Sequence, residues 1–368
     1  MRVSIPSLPR GPGVPPTVHS VAAAVDCVAG LLRSHRRPLV ITGAGVSVES
    51  GISSYRGADG LYVNSGYRPI YFHEFLQRTR ASDKRCRYWA RSFLGYPALR
   101  LAQPNATHYA LAELLRAGHV AEVVTQNVDR LHHVAAVARG VSPQASTVEI
   151  HGSLSEVRCA VRGDTPRGAH PADPETAWWD VSRTAAFGPV DRYYTDNVHA
   201  ADLPEGCGFV LARDALQDRF VELNPAWTEF RRQIEAQPAR ALRRNPDGDI
   251  QLEGADYGSF RYPACPNCGG VLKPDVVFFG ESVRRSVRTA AERAVDACDA
   301  VLVVGTSVAT HSVFRLLKQA AADRKPIVLL NLGPTRADAL TDTRIGLSCS
   351  DVLPKVAQQL AGSEAGPR

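Results

Sequence analysis

The residues best suited to chemistry begin at a glycine-rich turn that follows a short apolar run. Residues 38–42 read PLVIT and the next five read GAGVS, so the turn holds Gly43, Ala44, Gly45 and Ser47. Glycine lets backbone N–H groups come close to a pyrophosphate and adopts positive φ without strain. The third glycine of the GxGxxG fingerprint is absent, so a purely structural turn that closes a strand stays an alternative.

The loop after this turn, residues 49–57 (ESGISSYRG), carries a fixed positive charge. We expect Arg56 to contact a phosphate or a ribose, because guanidinium groups bind phosphate oxygens in a bidentate manner. An arginine that only faces solvent is the alternative.

Polar side chains follow two later apolar runs, where parallel strands would bring them to one crevice. Gln126, Asn127 and Asp129 follow AEVVT, and His151 follows TVEI. A histidine in such a position is a candidate general base, because its pKa lies near neutral pH. Capping of the following helix by Asn127 or Asp129 is the competing explanation for those two residues.

Short apolar runs alternate with helical stretches along most of the chain. We predict strands over residues 38–42, 121–125, 147–150, 275–279, 300–304 and 326–330, and connecting helices over 105–117, 284–298 and 312–322. The alternation predicts an α/β fold with a Rossmann-like, doubly wound parallel sheet, whose ligand lies at the carboxyl ends of the strands.

The alternation breaks twice, which predicts two additions to that body. Residues 59–100 predict a helical flap, and residues 156–272 predict a small Cys-containing module with an extra insertion at about 169–214. The Rossmann-like domain then comprises residues 19–155 and 273–358. Residues 1–18 form a disordered or targeting tail, and residues 359–368 form a second tail.

The composition argues against two classes of partner. The 43 Lys and Arg residues against 37 Asp and Glu give a net charge of +6, too small and too dispersed to predict a nucleic-acid surface. No apolar run approaches the roughly 18 residues that a membrane-spanning helix needs. The eight cysteines follow no secretory signal, which favours a reduced compartment.

The first 25 residues contain arginine, serine and threonine but no acidic residue, a composition typical of a mitochondrial transit segment. Their five prolines would interrupt the helix that such a segment forms. A disordered tail is therefore an equal alternative.

These residues, in this order, resemble the motif set of the sirtuins. The motifs are GAGVS at 43–47, QNVD at 126–129, HG at 151–152, KPDVVFFGE at 273–281, GTS at 305–307 and Asn331. Further segments resemble the class II branch, whose mitochondrial members are linked to lipoamidase, deacylase and ADP-ribosyltransferase activities: GLY at 60–62, RPI at 68–70, YWAR at 88–91, QPN at 103–105, TPR at 165–167 and NLGPT at 331–335. The resemblance to this branch favours the mitochondrial matrix.

The resemblance implies an NAD-dependent protein-lysine deacylase, with acylated protein lysines as substrates. The acyl-lysine oxygen attacks the nicotinamide ribose, nicotinamide leaves, and His151 as general base activates a ribose hydroxyl that takes up the acyl group, with Asn127 and Asp129 as further catalytic residues. The alternatives are a protein mono-ADP-ribosyltransferase on the same NAD site and a non-catalytic NAD- or ADP-ribose-binding protein. A hydride-transferring dehydrogenase is disfavoured by the incomplete glycine fingerprint.

The resemblance also implies which residues contact each substrate. The expected NAD contacts are Gly43, Ala44, Gly45, Ser47, Ser54, Tyr55, Arg56, Gln126, Asn127, Asp129, Gly305, Thr306, Ser307, Asn331, Gly333 and Cys349. The expected contacts of the acyl-lysine strand are Val277, Phe278, Phe279 and Gly280. Ser54 stands where the family has an aspartate, which predicts weaker nicotinamide exchange or inhibition.

The family's structural zinc site needs two CxxC pairs. This chain has one complete pair and a second pair that has lost one of its cysteines. Cys265 and Cys268 form an intact pair, but Cys159 is followed by Arg162 in place of a second thiolate. Arginine has no lone pair to offer a metal. Cys207, His170 and His199 are candidates for the fourth ligand; a zinc ion with three protein ligands and a metal-free module are the alternatives.

Overall fold

The computed structural model describes residues 15–55, 69–76, 83–161, 206–236, 250 and 255–362. Arg56, Arg162, His170, His199 and most of the expected insertion at 169–214 lie outside the described residues. The chain divides into two compact units: unit 1 comprises residues 1–66, 102–151 and 283–368, and unit 2 comprises residues 67–101 and 152–282. The chain therefore passes between the units at residues 66/67, 101/102, 151/152 and 282/283. The sequence places the last two borders at 155/156 and 272/273.

Unit 1 is built on a seven-stranded parallel sheet. Its strands are β1 (Thr17–Val18), β2 (Pro38–Thr42), β3 (Glu122–Thr125), β4 (Thr147–Glu149), β8 (Ala300–Val304), β9 (Ile327–Leu330) and β10 (Thr343–Ile345). Across the sheet their order is β1-β10-β9-β8-β2-β3-β4, and every pair is parallel. The central strands β2, β8 and β9 are rich in Val, Ile and Leu and buried throughout because both faces of the sheet are covered there.

Helices cover both faces of this sheet. The helices of unit 1 are α1 (Val21–Ser34), α4 (Ala106–Arg116), α5 (Leu131–Ala138), α6 (Pro143–Ser146), α9 (Arg285–Ala297), α10 (His311–Ala322) and α11 (Cys349–Gly362), with 3-10 turns at Ala44–Ser50 and Asp338–Leu340. One apolar core joins α1, α4 and α11 to the sheet, and a second joins α9 and α10 to the opposite face. The predicted α/β class with a doubly wound parallel sheet is confirmed.

The register of the strands fixes where the polar segments emerge. Thr42 is paired with Thr125 on one side and with Val304 on the other, and Thr125 is paired with Glu149. The residues that follow these strand ends therefore leave the sheet side by side at one edge.

Unit 2 combines a small antiparallel sheet with four helices among its described residues. The sheet has the order β6-β5-β7, with β5 at Gly152–Val161, β6 at Val210–Ala212 and β7 at Val271–Val276. The helices are α2 (Phe72–Leu76), α3 (Asp83–Leu101), α7 (Arg213–Leu223) and α8 (Pro225–Glu235), with a 3-10 turn at Tyr257–Ser259. Buried aromatic rings of Phe75, Trp89, Phe93, Phe220 and Phe260 form its core.

The strand predicted over residues 275–279 is wrong in position and in partner. The structure places β7 at Val271–Val276, where it pairs antiparallel with β5 and not within the parallel sheet. Periodicity misplaced it because VVFF is an apolar run at the end of β7, and Phe279 is already 41% exposed. No helix among the described residues is long and apolar enough to cross a membrane.

Substitutions at Gly45 and Gly30 test the close backbone contact made by the turn after β2. A Cβ on Gly45 would lie 2.6 Å from the carbonyl oxygen of Gly305, whereas a Cβ on Gly30, inside α1, would meet nothing within 4 Å. We expect Gly45→Ala to lower the free energy of unfolding by about 1–3 kcal/mol through backbone overlap. Gly30→Ala should raise it by about 0.5–1 kcal/mol through helix propensity. Urea denaturation of both variants measures the difference, and equal effects would contradict the described contact.

Candidate functional site

The glycine turn after β2 touches the loop after β8 backbone to backbone. Gly43 N–H donates to the Val304 carbonyl at 3.2 Å, and Gly45 N–H donates to the Gly305 carbonyl at 2.8 Å. Gly305 has a φ of +59°, and a Cβ there would lie 2.8 Å from the Val46 nitrogen. Glycine is therefore required on both sides of this contact.

Ser47, Asn127 and Asp129 meet at the end of the turn. Ser47 Oγ donates to Asp129 Oδ2 at 2.7 Å, and Asn127 Nδ2 donates to Ser47 Oγ at 3.1 Å. Burial raises the pKa of Asp129, and the hydrogen bond from Ser47 opposes this rise. Asp129 Oδ1 also accepts from Leu131 N–H at 3.0 Å, so the carboxylate stabilises the start of α5 as well.

The side chain of Gln126 is held at three points. Its Nε2 donates to Thr306 Oγ1 at 2.8 Å and to the Thr42 carbonyl at 3.2 Å, while its Oε1 accepts from Thr310 Oγ1 at 2.8 Å. These contacts fix which end of the amide is the donor and which is the acceptor. Gln126 therefore joins the ends of β2, β3 and β8.

His151 lies directly after β4 and Ile150, half-buried, with both ring nitrogens engaged. Its Nδ1 lies 3.2 Å from the Gln126 carbonyl, and its Nε2 lies 2.8 Å from Ser312 Oγ. Because a carbonyl only accepts, the neutral ring carries its proton on Nδ1 and keeps the lone pair on Nε2. Burial lowers the pKa of His151 to about 4, so the ring is neutral at pH 7 and able to accept a proton.

Two further histidines lie buried beneath the turn. His132 Nε2 is 2.9 Å from Thr42 Oγ1, and the ring of His132 packs against that of His108 at a centroid distance of 4.9 Å. Thr42 gives its own proton to Thr125 Oγ1 at 2.8 Å, so His132 Nε2 is the donor to Thr42. Burial lowers the pKa of His108 to about 4 and that of His132 well below its usual range.

The remaining expected NAD contacts lie around the same edge of unit 1. Cys349 Sγ is 3.8 Å from the Gly45 carbonyl, and the Asn331 side chain donates to the Gly333 carbonyl at 2.8 Å. The Ser307 carbonyl accepts from Arg336 N–H at 3.0 Å. Ala44 begins the 3-10 turn, and Ser54 and Tyr55 are half-buried in the segment that follows it.

The residues expected to bind the acyl-lysine strand follow β7 in unit 2. Phe278 is buried and its N–H donates to Glu281 Oε2 at 2.8 Å, whereas the Phe279 carbonyl accepts from Phe72 N–H at 2.9 Å. Val277 is half-buried, and Gly280 adopts a φ of +78°. The segment is therefore partly paired already, with the exposed Phe279 ring at its edge.

Four cysteines of unit 2 form a candidate metal centre. The Sγ atoms of Cys159, Cys207, Cys265 and Cys268 lie within 4.8 Å of one another, with 3.6 Å between Cys159 and Cys268 and 3.6 Å between Cys207 and Cys265. A tetrahedral zinc–thiolate site with bonds of about 2.3 Å has sulfur–sulfur edges of about 3.8 Å. The four thiols thus fit a zinc ion, and Cys207 occupies the fourth position that Arg162 leaves without a ligand.

The backbone around these cysteines has the form of a metal-binding turn. Gly269 N–H donates to the Cys265 carbonyl at 2.7 Å with a positive φ of +66°, and Cys265 N–H donates to the Gly270 carbonyl at 2.7 Å. Asn267 Nδ2 donates to Cys207 Sγ at 3.2 Å, a hydrogen bond that stabilises a thiolate. Bound zinc would tie β5, the segment before β6 and this turn together.

Sequence reasoning missed four side chains that the structure places at the site. His108 and His132 are in helical stretches and read as ordinary buried residues; Thr310 and Ser312 stand at the start of a predicted helix, where a capping role is the usual assignment. Only a three-dimensional register shows that α10 begins beside the end of β4.

Comparison with known proteins identifies the family. The model of the Sir2 family matches residues 43–176 and 228–312. The NAD-dependent protein deacylase SIR4 of Batrachochytrium dendrobatidis is 38% identical over 343 residues, which cover 92% of this chain and 94% of that protein. The NAD-dependent protein lipoamidase sirtuin-4, mitochondrial, of Bos taurus is 34% identical over 345 residues, 93% of this chain and 89% of that protein.

Solved structures agree on the fold. A mutant Sir2 homologue in complex with ADP-ribose superposes with a TM-score of 0.59 at 21% identity and covers 93% of this chain and 99% of its own. A Sir2 homologue in complex with NAD gives a TM-score of 0.58 at 21% identity and covers 95% and 98%. The fold and site define a Rossmann-like protein with a cysteine-ligated module. The chain belongs to the Sir2 family, the sirtuins.

The metal centre predicts a specific loss on removal of Cys207. Without the fourth thiolate, zinc is held by three ligands, so we expect Cys207→Ser to lower zinc content from about one ion per chain after dialysis against a chelator, and to lower the melting temperature. Cys86→Ser, a half-buried cysteine on α3 of the same unit, is the matched control. Wild-type zinc content in Cys207→Ser would show that Cys207 is not a ligand.

The buried histidines predict a pH dependence of stability in unit 1. The pKa of His108 is about 4 in the folded protein against about 6.5 in the unfolded chain. Between these values only the unfolded state binds the proton, so the free energy of unfolding falls as the pH is lowered from about 6.5. His132, with its pKa also lowered, acts in the same direction.

Each of these two histidines should contribute a slope of at most about 1.4 kcal/mol per pH unit. Denaturant unfolding between pH 4.5 and 6.5 measures the slope of the unfolding free energy against pH. His132→Gln should reduce this slope by the contribution of one histidine. His311→Gln, on an exposed histidine of α10, is the control. An unchanged slope in His132→Gln would contradict the buried neutral state.

Proposed function

We propose that the protein is an NAD-dependent protein-lysine deacylase that transfers an acyl group to ADP-ribose and releases nicotinamide. The observation that carries this proposal is the arrangement of His151. Its Nδ1 is held by the Gln126 carbonyl, and its Nε2 keeps a lone pair. The names of the relatives from Batrachochytrium dendrobatidis and Bos taurus, a deacylase and a lipoamidase, support the same reaction class.

The glycine turn would receive the pyrophosphate of NAD. The absence of a Cβ at Gly43 and Gly45 lets the turn lie directly against Gly305 and Thr306, so that both loops would flank the bound phosphates. Asn331, Gly333 and Cys349, which lie around the same edge of unit 1, would surround the adenosine side. Gln126, fixed by Thr306 and Thr310, would bind a ribose hydroxyl.

Ser47, Asn127 and Asp129 would then order the nicotinamide ribose. Their mutual hydrogen bonds hold a carboxylate and an amide at one point of the turn. Such pre-positioned polar groups stabilise positive charge as it develops on the ribose when nicotinamide leaves. The lysine acyl oxygen attacks at that stage and forms the bond that replaces the one to nicotinamide.

His151 would complete the reaction as general base. Its Nε2 takes the proton of a ribose hydroxyl, and that hydroxyl oxygen attacks the acyl carbon, which still carries the lysine nitrogen. Addition of water to this carbon and departure of the lysine amine then leave acyl-ADP-ribose and free lysine. Because burial lowers the pKa of His151 to about 4, the base form is present throughout the neutral range. The segment Val277 to Gly280 would pair with the substrate backbone by strand addition.

Zinc would have a structural part in this scheme. Cys159, Cys207, Cys265 and Cys268 offer four thiolates, which leave no open position for a substrate. We further propose a mitochondrial location, because the relative from Bos taurus is named as mitochondrial. Acylated lysines of proteins would be the substrates.

The primary test is nicotinamide release from NAD by the purified protein, with and without a panel of lysine-acylated peptides. We expect release that depends on the acyl peptide and is matched by free lysine and acyl-ADP-ribose. ADP-ribose attached to an added protein without acyl-dependent release would instead establish a mono-ADP-ribosyltransferase. Absence of both products would leave only a binding role and overturn the proposal.

The base assignment predicts the effect of His151→Asn. Asparagine keeps a polar side chain of smaller size but cannot accept the proton at neutral pH, so acyl transfer should fall by about 10²–10⁴-fold. His19→Asn, at an exposed histidine, is the control. Binding of NAD and the melting temperature should stay near the wild-type values. Full acyl transfer by folded His151→Asn would exclude His151 as the base.

A further inference from the structure

Ser312, at the start of α10, contacts the candidate general base directly. Its Oγ lies 2.8 Å from His151 Nε2, and both residues are half-buried within unit 1. We propose that Ser312 is a positioning residue for His151, and that Thr306, Thr310 and Ser312 together form a hydroxyl clamp that holds the base and Gln126 in one fixed arrangement. The proposal rests on the function proposed above.

The direction of the hydrogen bond between Ser312 Oγ and His151 Nε2 follows from the partner of the other ring nitrogen, Nδ1. His151 Nδ1 faces the Gln126 carbonyl, which can only accept, so Nδ1 is the protonated nitrogen. Nε2 therefore accepts, and Ser312 Oγ–H donates to it. Two hydrogen bonds on opposite nitrogens restrict rotation of the imidazole about Cβ–Cγ more strongly than one does.

The hydroxyl clamp closes a circuit of hydrogen bonds through Gln126. Thr310 Oγ1 donates to Gln126 Oε1 at 2.8 Å, and Gln126 Nε2 donates to Thr306 Oγ1 at 2.8 Å. The Gln126 carbonyl holds His151 Nδ1, and Ser312 holds the other end of that ring. One segment of seven residues thus fixes both the base and the residue assigned to a ribose hydroxyl.

Two features of residues 306–312 reduce local stability, and both accompany the contacts of the clamp. Thr310 is the N-cap residue of α10, yet its side chain makes no capping hydrogen bond to the helix and binds Gln126 instead. Val308 has a φ of +52°, a left-handed conformation that is costly for a β-branched residue. Such backbone conformations persist where the surrounding structure imposes them and cluster at functional sites.

The clamp would act before the ribose hydroxyl arrives. It holds the ring with Nε2 at the Ser312 hydroxyl, and the ribose hydroxyl would then take the place of that hydroxyl as the donor at Nε2. Proton transfer follows without a search over ring orientations, which is the usual benefit of a pre-positioned base. Ser312 itself need not touch the substrate.

The test compares Ser312→Ala with Ser312→Thr in two separate assays. The first is exchange of labelled nicotinamide into NAD in the presence of an acyl peptide, which reports on the step before the base acts. The second is formation of the deacylated peptide. We expect Ser312→Ala to lower deacylation about tenfold, the effect of one hydrogen bond, while exchange stays near wild type. Ser312→Thr, which keeps the hydroxyl, should restore deacylation.

A spectroscopic measurement separates positioning from simple loss of stability. The ¹⁵N spectrum of histidine-labelled protein should show Nδ1 of His151 protonated in all three proteins, because the Gln126 carbonyl remains its partner. The ring signals of His151 should be sharp in the wild type and in Ser312→Thr, and broadened in Ser312→Ala, where the ring has lost the hydrogen bond at Nε2. His311→Ala, the exposed neighbour on the same turn, should leave all readouts unchanged.

The outcomes distinguish this proposal from the proposed function. If the wild type shows no acyl-dependent nicotinamide release, the deacylase assignment fails. If the wild type deacylates and folded Ser312→Ala matches it in deacylation and in the line width of the His151 ring signals, the deacylase assignment stands and the role of Ser312 is excluded. Equal loss of exchange and deacylation in Ser312→Ala would likewise overturn a role specific to the base.

Discussion

The close contact between the turn after β2 and the loop after β8 is the constraint on which the site depends. Gly45 and Gly305 approach through their backbones, with a hydrogen bond of 2.8 Å and no room for a Cβ on either side. Since β2 and β8 are neighbours in the parallel sheet, this contact brings Thr306 next to Gln126 and thereby connects His151, which contacts the Gln126 carbonyl, to the turn. The polar cluster thus depends on two glycines that carry no functional group.

Desolvation sets the electrostatics of the site. Burial lowers the pKa values of His108, His132 and His151 and raises that of Asp129, so each shift opposes the charged form. The polar groups compensate for the loss of water by hydrogen bonds to one another, such as Ser47 to Asp129. A neutral histidine with an ordered proton is well suited to a base, whereas a charged one would be inert. The same burial that makes the site costly to fold keeps His151 unprotonated and also lowers its strength as a base.

The sequence predicted five of the seven strands of the parallel sheet, β2, β3, β4, β8 and β9, because they are short, mostly apolar runs followed closely by glycine or polar residues. The short strands β1 (TV) and β10 (TRI) give no such signal. Strand ends at Thr42, Thr125 and Val304 agree with the expected ones, and their register brings Gly43, Gln126, His151 and Thr306 together. The prediction failed at β7, because the apolar run extends to Phe278 and Phe279 whereas the strand itself ends at Val276. It also had no means to identify Thr310 and Ser312, because their role depends on where α10 begins relative to β4. The sequence likewise could not choose the fourth metal ligand among Cys207, His170 and His199, because that choice depends on distances to the other cysteines. The structure places Cys207 Sγ within 4.8 Å of the other three sulfur atoms.

The position of Cys207 has a consequence for how the chain tolerates change. The polypeptide leaves the small sheet near Cys159 and returns at Cys207, and a zinc ion bound by both would join the two ends of that excursion. The entropy of closing a loop grows only with the logarithm of its length, by about 0.6 kcal/mol for each doubling. Residues between the two cysteines can therefore lengthen, shorten or diverge at little thermodynamic cost to the module. A metal bound by a cysteine at each end of this stretch would hold its two ends together whatever the number of residues between them.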